Sequence, residues 1–387
     1  MSFIPYGRQD VTDADVSAVA EVLRSDWLTQ GPLVPKFERS IASYCGAAYA
    51  VGVNSATSAL HVACLALGVG KEDWVWTSPV SFVASANCAL YCGGRVDFVD
   101  IDAETFNLSV EALAAKLKVA EASRRLPKVL IVVHFGGQSC AMESIAKLSR
   151  TYGFRIIEDA SHAIGARYRG RAVGCCEFSD ITVFSFHPVK IITTAEGGAA
   201  VTNDPALAET MERLRSHGIT RDPGKFTNTA EGPWYYEQTA LGFNYRLNDL
   251  QAALGLSQIT RLDMYVRRRQ ELAHRYKDAL RDLPVMPQQM RAECYSAYHL
   301  YSVRLRSDGG APQRLRVFGH LRAAGVGVNV HYMPIHLQPY YRTLGFRTGD
   351  FPAAESYYAE ALTLPLYPGL TEAQQDRVVA LLKEAVD

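Results

Sequence analysis

Between Tyr49 and Thr202, short runs rich in β-branched and aromatic side chains alternate with longer stretches whose apolar positions recur every three to four residues. The first pattern suits a strand and the second an amphipathic helix. Strands are predicted at Tyr49–Val53, Trp74–Ser78, Arg95–Val99, Val129–His134, Arg155–Glu158, Ile181–Phe186 and Gly198–Thr202. Helices fall between the first five, over Ser55–Leu67, Phe82–Tyr91, Ser109–Leu117 and Met142–Tyr152. Two helices come earlier: Thr12 with Asp13 and Asp15 behind it has the chemistry of a helix start and opens one to about Arg24, and a second covers Lys36–Tyr44.

After Arg246 the helical runs lengthen, over Asn248–Gln258 and Leu262–Leu283, until Pro284 breaks the pattern. A strand at His299–Leu305, a helix over Pro312–Ala324, a strand at Val326–His331 and a closing helix after Thr371 follow. This order predicts an α/β protein: a large domain with a mostly parallel central sheet over residues 1–250, then a connector helix and a smaller α+β domain over residues 251–387.

Composition narrows the function. The chain balances 40 Lys+Arg against 40 Asp+Glu and is 48% hydrophobic, so it can bury a large core but lacks the cationic surplus that nucleic acid or anionic lipid demands. Its densest basic cluster, Arg267 to Arg269, reads as a solvated helix face beside Glu271 and Asp278. The opening Met1-Ser-Phe-Ile-Pro-Tyr-Gly-Arg holds no apolar signal core, and no stretch approaches the roughly 18 to 20 apolar residues of a membrane span, so a cytoplasmic protein is expected. The cysteines are scattered; Cys88 and Cys92 lack the further Cys/His pair a zinc site needs, so they read as buried thiols and no metal is expected.

Ligands of an open α/β sheet bind beyond the carboxyl ends of its strands. Three polar segments lie there: Asn54-Ser-Ala-Thr-Ser, Asp159-Ala-Ser-His and Ser185-Phe-His-Pro-Val-Lys. The helix start at Ser55 to Thr57 offers N–H groups and a positive dipole end to a phosphate. Lys190 follows an apolar strand, where desolvation would favour a neutral, nucleophilic amine, although a plain ion pair with Glu196 would also accommodate it. Asp159 ends a strand and can hold a protonated ring nitrogen; at ~4 Å and an effective dielectric of ~20 such a pair interacts by about 4 kcal/mol. A Schiff-base lysine, a carboxylate for a pyridinium and a phosphate cup together point to pyridoxal phosphate.

Six segments then carry a resemblance that spans nearly the whole chain: Trp27-Leu-Thr-Gln-Gly-Pro, Asn54-Ser-Ala-Thr-Ser-Ala-Leu, Glu158-Asp-Ala-Ser-His-Ala, Ser185-Phe-His-Pro-Val-Lys, Thr193-Thr-Ala-Glu-Gly-Gly and Leu241-Gly-Phe-Asn-Tyr-Arg-Leu. The sequence resembles the DegT/DnrJ/EryC1/StrS sugar aminotransferases, fold-type-I enzymes that use pyridoxal 5'-phosphate (PLP) and its amine form (PMP) and work as homodimers with shared active sites. The resemblance implies that Lys190 forms the Schiff base and moves the proton, that Asp159 holds the pyridinium, and that Ala56, Thr57 and Ser185 bind the phosphate with Asn244 of the neighbouring subunit. It further implies that Phe82, which also reads as a core aromatic, stacks on the ring, and that His162, where most members have Gln, meets the phenolic oxygen. Tyr6, Arg246, His331 and Tyr332 are the candidates for substrate contacts.

Phe3-Ile-Pro-Tyr-Gly-Arg-Gln, His134-Phe-Gly-Gly-Gln-Ser-Cys and Trp234-Tyr-Tyr-Glu-Gln are most similar to the pseudaminic-acid branch. That likeness implies transamination, with L-glutamate as donor, of UDP-2-acetamido-2,6-dideoxy-β-L-arabino-hexos-4-ulose to UDP-4-amino-4,6-dideoxy-N-acetyl-β-L-altrosamine. The alternatives are another dTDP-, GDP- or UDP-linked 4-keto sugar and, in a different class, a non-catalytic PLP- or sugar-nucleotide-binding regulator. Ala195 stands where relatives carry Gly, so the backbone there is expected to avoid strongly positive φ.

Overall fold

The computed structural model describes residues 3–306 and 309–386. Its central sheet has seven strands: β1 (Tyr49–Val53), β2 (Trp74–Thr77), β3 (Arg95–Phe98), β4 (Val129–Val133), β5 (Arg155–Asp159), β6 (Ile181–Ser185) and β7 (Gly198–Thr202). They lie in the order β1-β7-β6-β5-β4-β2-β3. β7 runs antiparallel to both neighbours, whereas the pairings from β6 through β5, β4 and β2 to β3 are parallel. A parallel neighbour needs a crossover, usually a helix. The loop from β6 to β7 contains none, so β7 turns back alongside β6.

Helices cover both faces, which is why β4, Val-Leu-Ile-Val-Val, is apolar and buried at every position. On one face Ile131 and Ile157 pack with α3 (Ala56–Ala66), α4 (Ala84–Tyr91) and α7 (Pro205–Arg215) through Leu60, Cys88 and Met211. On the other, Leu130, Val132 and Ile156 meet α5 (Val110–Ala122) and α6 (Met142–Tyr152) through Leu117 and Ile145. Phe37 and Ile41 of α2 (Leu33–Cys45) cover Phe184 and Val201. The alternation of 130, 131 and 132 between the two cores is the two-residue period of a strand.

The later part of the chain builds a three-stranded antiparallel sheet from β8 (Val285–Pro287), β9 (Tyr301–Leu305) and β10 (Ala361–Leu364), ordered β8-β9-β10. Its core joins Leu272 and Tyr276 of the long helix Leu262–Ala279 to Val303, Leu362 and Val378. Ile4 lies in this same core. Its N–H donates to Gly325 O at 3.0 Å, it accepts from Gly327 N–H at 2.6 Å, and Tyr6 O accepts from Leu366 N–H at 3.0 Å. That clasp carries Tyr6 to the site described below.

Several expectations are corrected. Val326–His331 forms no ladder: Val326 bridges Ile4 and Asn329 bridges Thr363 as isolated pairs. The long helix stops at Ala279, short of Leu283. α7 lies outside the predicted elements, although Asp204 caps it by accepting from Ala206 N–H at 2.8 Å and Pro205 opens it. Arg269 is no solvated residue: it is 1% exposed, and its Nη1 donates to the carbonyls of Tyr298, His299 and Leu366. All eight cysteines are free; Cys88 is buried and Cys92 half-buried.

Candidate active site

The carboxyl ends of β1, β5 and β6 open onto a cavity of about 290 Å³. At one end α3 begins, with Ser55 capping it by accepting from Ser58 N–H at 3.1 Å. The N–H groups of Ala56 and Thr57, at the first two helical positions, have no intrahelical acceptor and sit at the positive end of the dipole. The cradle is tight: a Cβ on Gly198, at the start of β7, would fall 2.5 Å from Ala56 N. Ser185 ends β6 and lines the same cavity, as do Ala56 and Thr57.

At the end of β5, Asp159 is buried and faces the cavity. Ser85 Oγ donates to its Oδ2 at 2.6 Å, and Ser161 donates to Oδ1 from Oγ at 2.6 Å and from N at 3.1 Å.

Lys190 lines the cavity from the turn after β6. Burial brings its amine down to about 8, outweighing the opposing pull of Asp159. Three histidines are close by. Burial, reinforced by the Lys190 charge, holds His162 and His299 well below the usual imidazole range and takes His331 to about 3, so all three are uncharged at neutral pH. The rings of His162 and His299 lie 4.5 Å apart, and His162 Nε2 is 3.1 Å from Tyr332 Oη. Gly137, at φ +107°, makes this approach possible, since a Cβ there would meet Tyr298 N at 2.7 Å and His162 O at 3.0 Å.

The structure thus brings together Lys190, Asp159, Ala56, Thr57, Ser185 and His162, with Phe82, Tyr6, His331 and Tyr332 around them. Phe82 is 59% exposed, its ring 6.4 Å from that of Tyr332, so it is not a core side chain. Asn244 and Arg246 do not line this chain's cavity. Asn244 bridges Ser216, and Arg246 bridges Val53 while donating from Nη1 to Ser216 Oγ at 3.1 Å. Lys190 does not pair with Glu196, whose Oε1 lies 3.9 Å from His187 Nε2. Ser85, Ser161 and His299 were outside the predicted set. Ser85 had one sequence signal, its place one helical turn after Ser81.

A match to one known family runs from residue 9 to residue 383. The chain belongs to the DegT/DnrJ/EryC1/StrS aminotransferase family. Spore coat polysaccharide biosynthesis protein SpsC of Bacillus subtilis is 36% identical over 99% of this chain and 97% of its own. Among solved structures, PseC of Helicobacter pylori, an aminotransferase of pseudaminic-acid biosynthesis, has a TM-score of 0.90 at 31% identity, covering 100% of this chain and 99% of its own. Spr1654 of Streptococcus pneumoniae, solved in its PMP form, has a TM-score of 0.90 at 28% identity over 99% of both chains.

The protein is therefore a PLP-dependent sugar aminotransferase acting on nucleotide-linked keto sugars, and its cofactor is pyridoxal phosphate. The cavity fits that group. The cradle under Gly198 is shaped for an anion, the depressed amine of Lys190 suits an aldehyde, and Asp159 suits a protonated ring nitrogen. No described helix is long and apolar enough to cross a membrane, and no cluster of metal-binding side chains occurs among the described residues.

Proposed function

We propose that the chain transfers the amino group of L-glutamate to C4 of a UDP-linked 2-acetamido-2,6-dideoxy-4-keto sugar, giving the 4-amino-4,6-dideoxy-N-acetyl-β-L-altrosamine product of the pseudaminic-acid route. The observation that carries the chemistry is Lys190, an amine brought to about 8 in a cavity it shares with Asp159 and the start of α3. Bound there, pyridoxal phosphate supplies an aldehyde that takes up an amino group and a ring that accepts electrons when a C–H proton leaves. Lys190 would hold the cofactor, and its free amine would take the proton from glutamate Cα and return one at sugar C4. Asp159 would face the ring nitrogen and favour its protonated form. The N–H groups of Ala56 and Thr57 with the Ser185 hydroxyl would bind the phosphate, and Phe82 and His162 would hold the ring.

Tyr6, His331 and Tyr332, which also line the cavity, contact the sugar in this reading. Asn244 and Arg246 turn away from their own cavity, which suits a homodimer in which they serve the partner's. The exposed side chains of Trp27, Trp234 and Leu241, at 56%, 69% and 82%, offer apolar surface for that pairing. The likeness to PseC supports the pseudaminic-acid substrate. The stronger identity to SpsC favours a second reading, another 4-keto sugar nucleotide destined for a polysaccharide.

The deciding experiment incubates the purified protein with glutamate and a panel of UDP-, dTDP- and GDP-linked 4-keto sugars, and assigns products and C4 configuration by NMR. Efficient amination of the UDP-β-L-arabino compound is expected. Turnover of a dTDP or GDP sugar with none of that compound would discard the substrate and keep the reaction class. Light scattering that found an active monomer would remove the cross-subunit roles of Asn244 and Arg246.

A further inference from the structure

The hydrogens around Asp159 can be placed. An ionised carboxylate only accepts, at about four lone-pair positions. Ser161 occupies two on Oδ1, through N–H and O–H, and Ser85 occupies one on Oδ2. A serine hydroxyl has one hydrogen, and that of Ser85 is committed to Asp159. Ser81 Oγ, 2.7 Å from Ser85 Oγ, must therefore donate to it. Both serines are buried, at 4% and 1% exposure, so bulk water does not compete for these hydrogens. The backbone is also pinned: Asp159 O accepts from His134 N–H at 3.1 Å, and Ala160 N–H donates to Val183 O at 2.8 Å. Only side-chain rotation could re-aim the carboxylate, and Ser85 blocks it from one side while Ser161 blocks it from the other.

Resting on the reading that Asp159 meets the ring nitrogen of the cofactor, we propose that the ordered chain Ser81 to Ser85 to Asp159 leaves one lone pair, on Oδ2, to receive the ring N–H, making Ser85 a positioning residue for transamination. Ser81 and Ser85 bracket Phe82, so one short stretch of backbone carries both the serine pair behind Asp159 and the aromatic beside the cavity. Loss of the Ser85 hydroxyl frees Asp159 Oδ2 to rotate and strands the Ser81 hydrogen.

The test uses full-length Ser85→Ala, Ser85→Thr, Ser81→Ala and the Ser81→Ala/Ser85→Ala double variant. Three quantities are measured: the dissociation constant of the apoproteins for pyridoxal phosphate, the visible circular dichroism of the bound cofactor, and kcat and KM for glutamate. Ser85→Ala should weaken cofactor binding about ten-fold, the low end for a hydrogen bond to a charged group. It should also reduce the dichroic band and lower kcat with KM for glutamate changed by less than about two-fold. Ser85→Thr should restore all three. Ser81→Ala should cost less and nothing further in the Ser85→Ala background, because its hydrogen acts only through Ser85. Should Ser85→Ala fail to fold, Ser85→Cys, with a similar shape and a weak donor, should show the same losses.

Parent-like affinity, dichroism and kcat in Ser85→Ala would overturn the proposal, and so would an undiminished Ser81→Ala effect in the double variant. Asp159→Asn separates the two levels. A parent-like Ser85→Ala beside a crippled Asp159→Asn removes only the serine chain. An Asp159→Asn protein with parental cofactor binding and spectrum removes the reading on which it rests.

Discussion

Glu158 and Asp159 are neighbours on β5, both carboxylates, both buried, and each accepts three hydrogen bonds. Because a strand alternates its side chains, they point to opposite faces of the sheet. Glu158 lines only a small cleft of about 10 Å³, with Tyr168, Arg171 and Phe178. His134 Nδ1 accepts from Cys140 N–H at 3.2 Å, so Nε2 carries the ring hydrogen and donates it to Glu158 Oε2 at 2.6 Å, while Ser179 and Thr182 donate to Oε1. Burial pushes the Glu158 carboxyl upward, but these partners more than offset it and hold it below its usual range. Asp159 has comparable support and opens onto the cavity. The same chemistry one residue apart meets two different settings, and what separates them is the space each carboxylate faces: about 290 Å³ beside Asp159 and about 10 Å³ beside Glu158.

That contrast can be broken from its reactive side first. Lys190→Ala should lower turnover by about four orders of magnitude, since it removes the base and the covalent anchor together, as measured by glutamate-dependent amination. Asp159→Asn should cost about three orders, with Glu158→Gln retaining turnover within about five-fold; equal losses in the two would erase the distinction between the faces. In urea unfolding, Glu158→Ala should lose about 3 kcal/mol, because it strands His134, Ser179 and Thr182 inside the protein.

The pH response sharpens the comparison further. In the folded apoprotein Lys190 is deprotonated above about 8, so the rate at which it captures the cofactor aldehyde should rise about ten-fold per pH unit below that value and level off above it. The sign for stability follows: between about 8 and the ordinary lysine value near 10.4 the unfolded chain binds the extra proton, so Lys190 raises stability as pH rises through that window. Glu158 acts at the acid end. Its stabilisation is fully present above its unfolded value and is lost as pH falls through the depressed folded one.

The smallest effect concerns strain on the cavity side. Ala195 takes φ +68°, contrary to the expectation that a Cβ there keeps the backbone out of the left-handed region. The turn holds it: Ala195 N–H donates to Thr193 Oγ1 at 3.0 Å, and Thr194 Oγ1 donates to Glu196 O at 2.7 Å. Left-handed Ala costs about 1 kcal/mol or slightly more. Ala195→Gly should therefore stabilise the fold by up to about 1 kcal/mol, part of the gain being offset by the freer unfolded chain, as read from thermal melting.

The sheet was legible because its strands are continuous apolar runs bounded by polar turns, and every strand of the central sheet was predicted within one residue at either end. Lys190 and Asp159 were legible for a related reason: an ionisable group closing an apolar strand has few structural uses. Arg269 was misread because its sequence neighbours are charged. Only the fold shows that Arg269 turns inward to three carbonyls while Arg267 stays exposed. Val326–His331 has the composition of a strand but finds only single bridging partners. Ser85 and His299 were hidden because what places them at the cavity is contact across long stretches of chain, with Asp159 and His162, which periodicity does not encode.

The clasp at Ile4 also bears on how the molecule comes into being. The segment carrying Tyr6 is synthesised well before the carbonyls and amides it pairs with, which belong to Gly325, Gly327 and Leu366. Contacts so far apart in sequence form late. Until then one wall of the cavity stays open, and Lys190 is first enclosed when Ile4 and Tyr6 meet Gly325, Gly327 and Leu366.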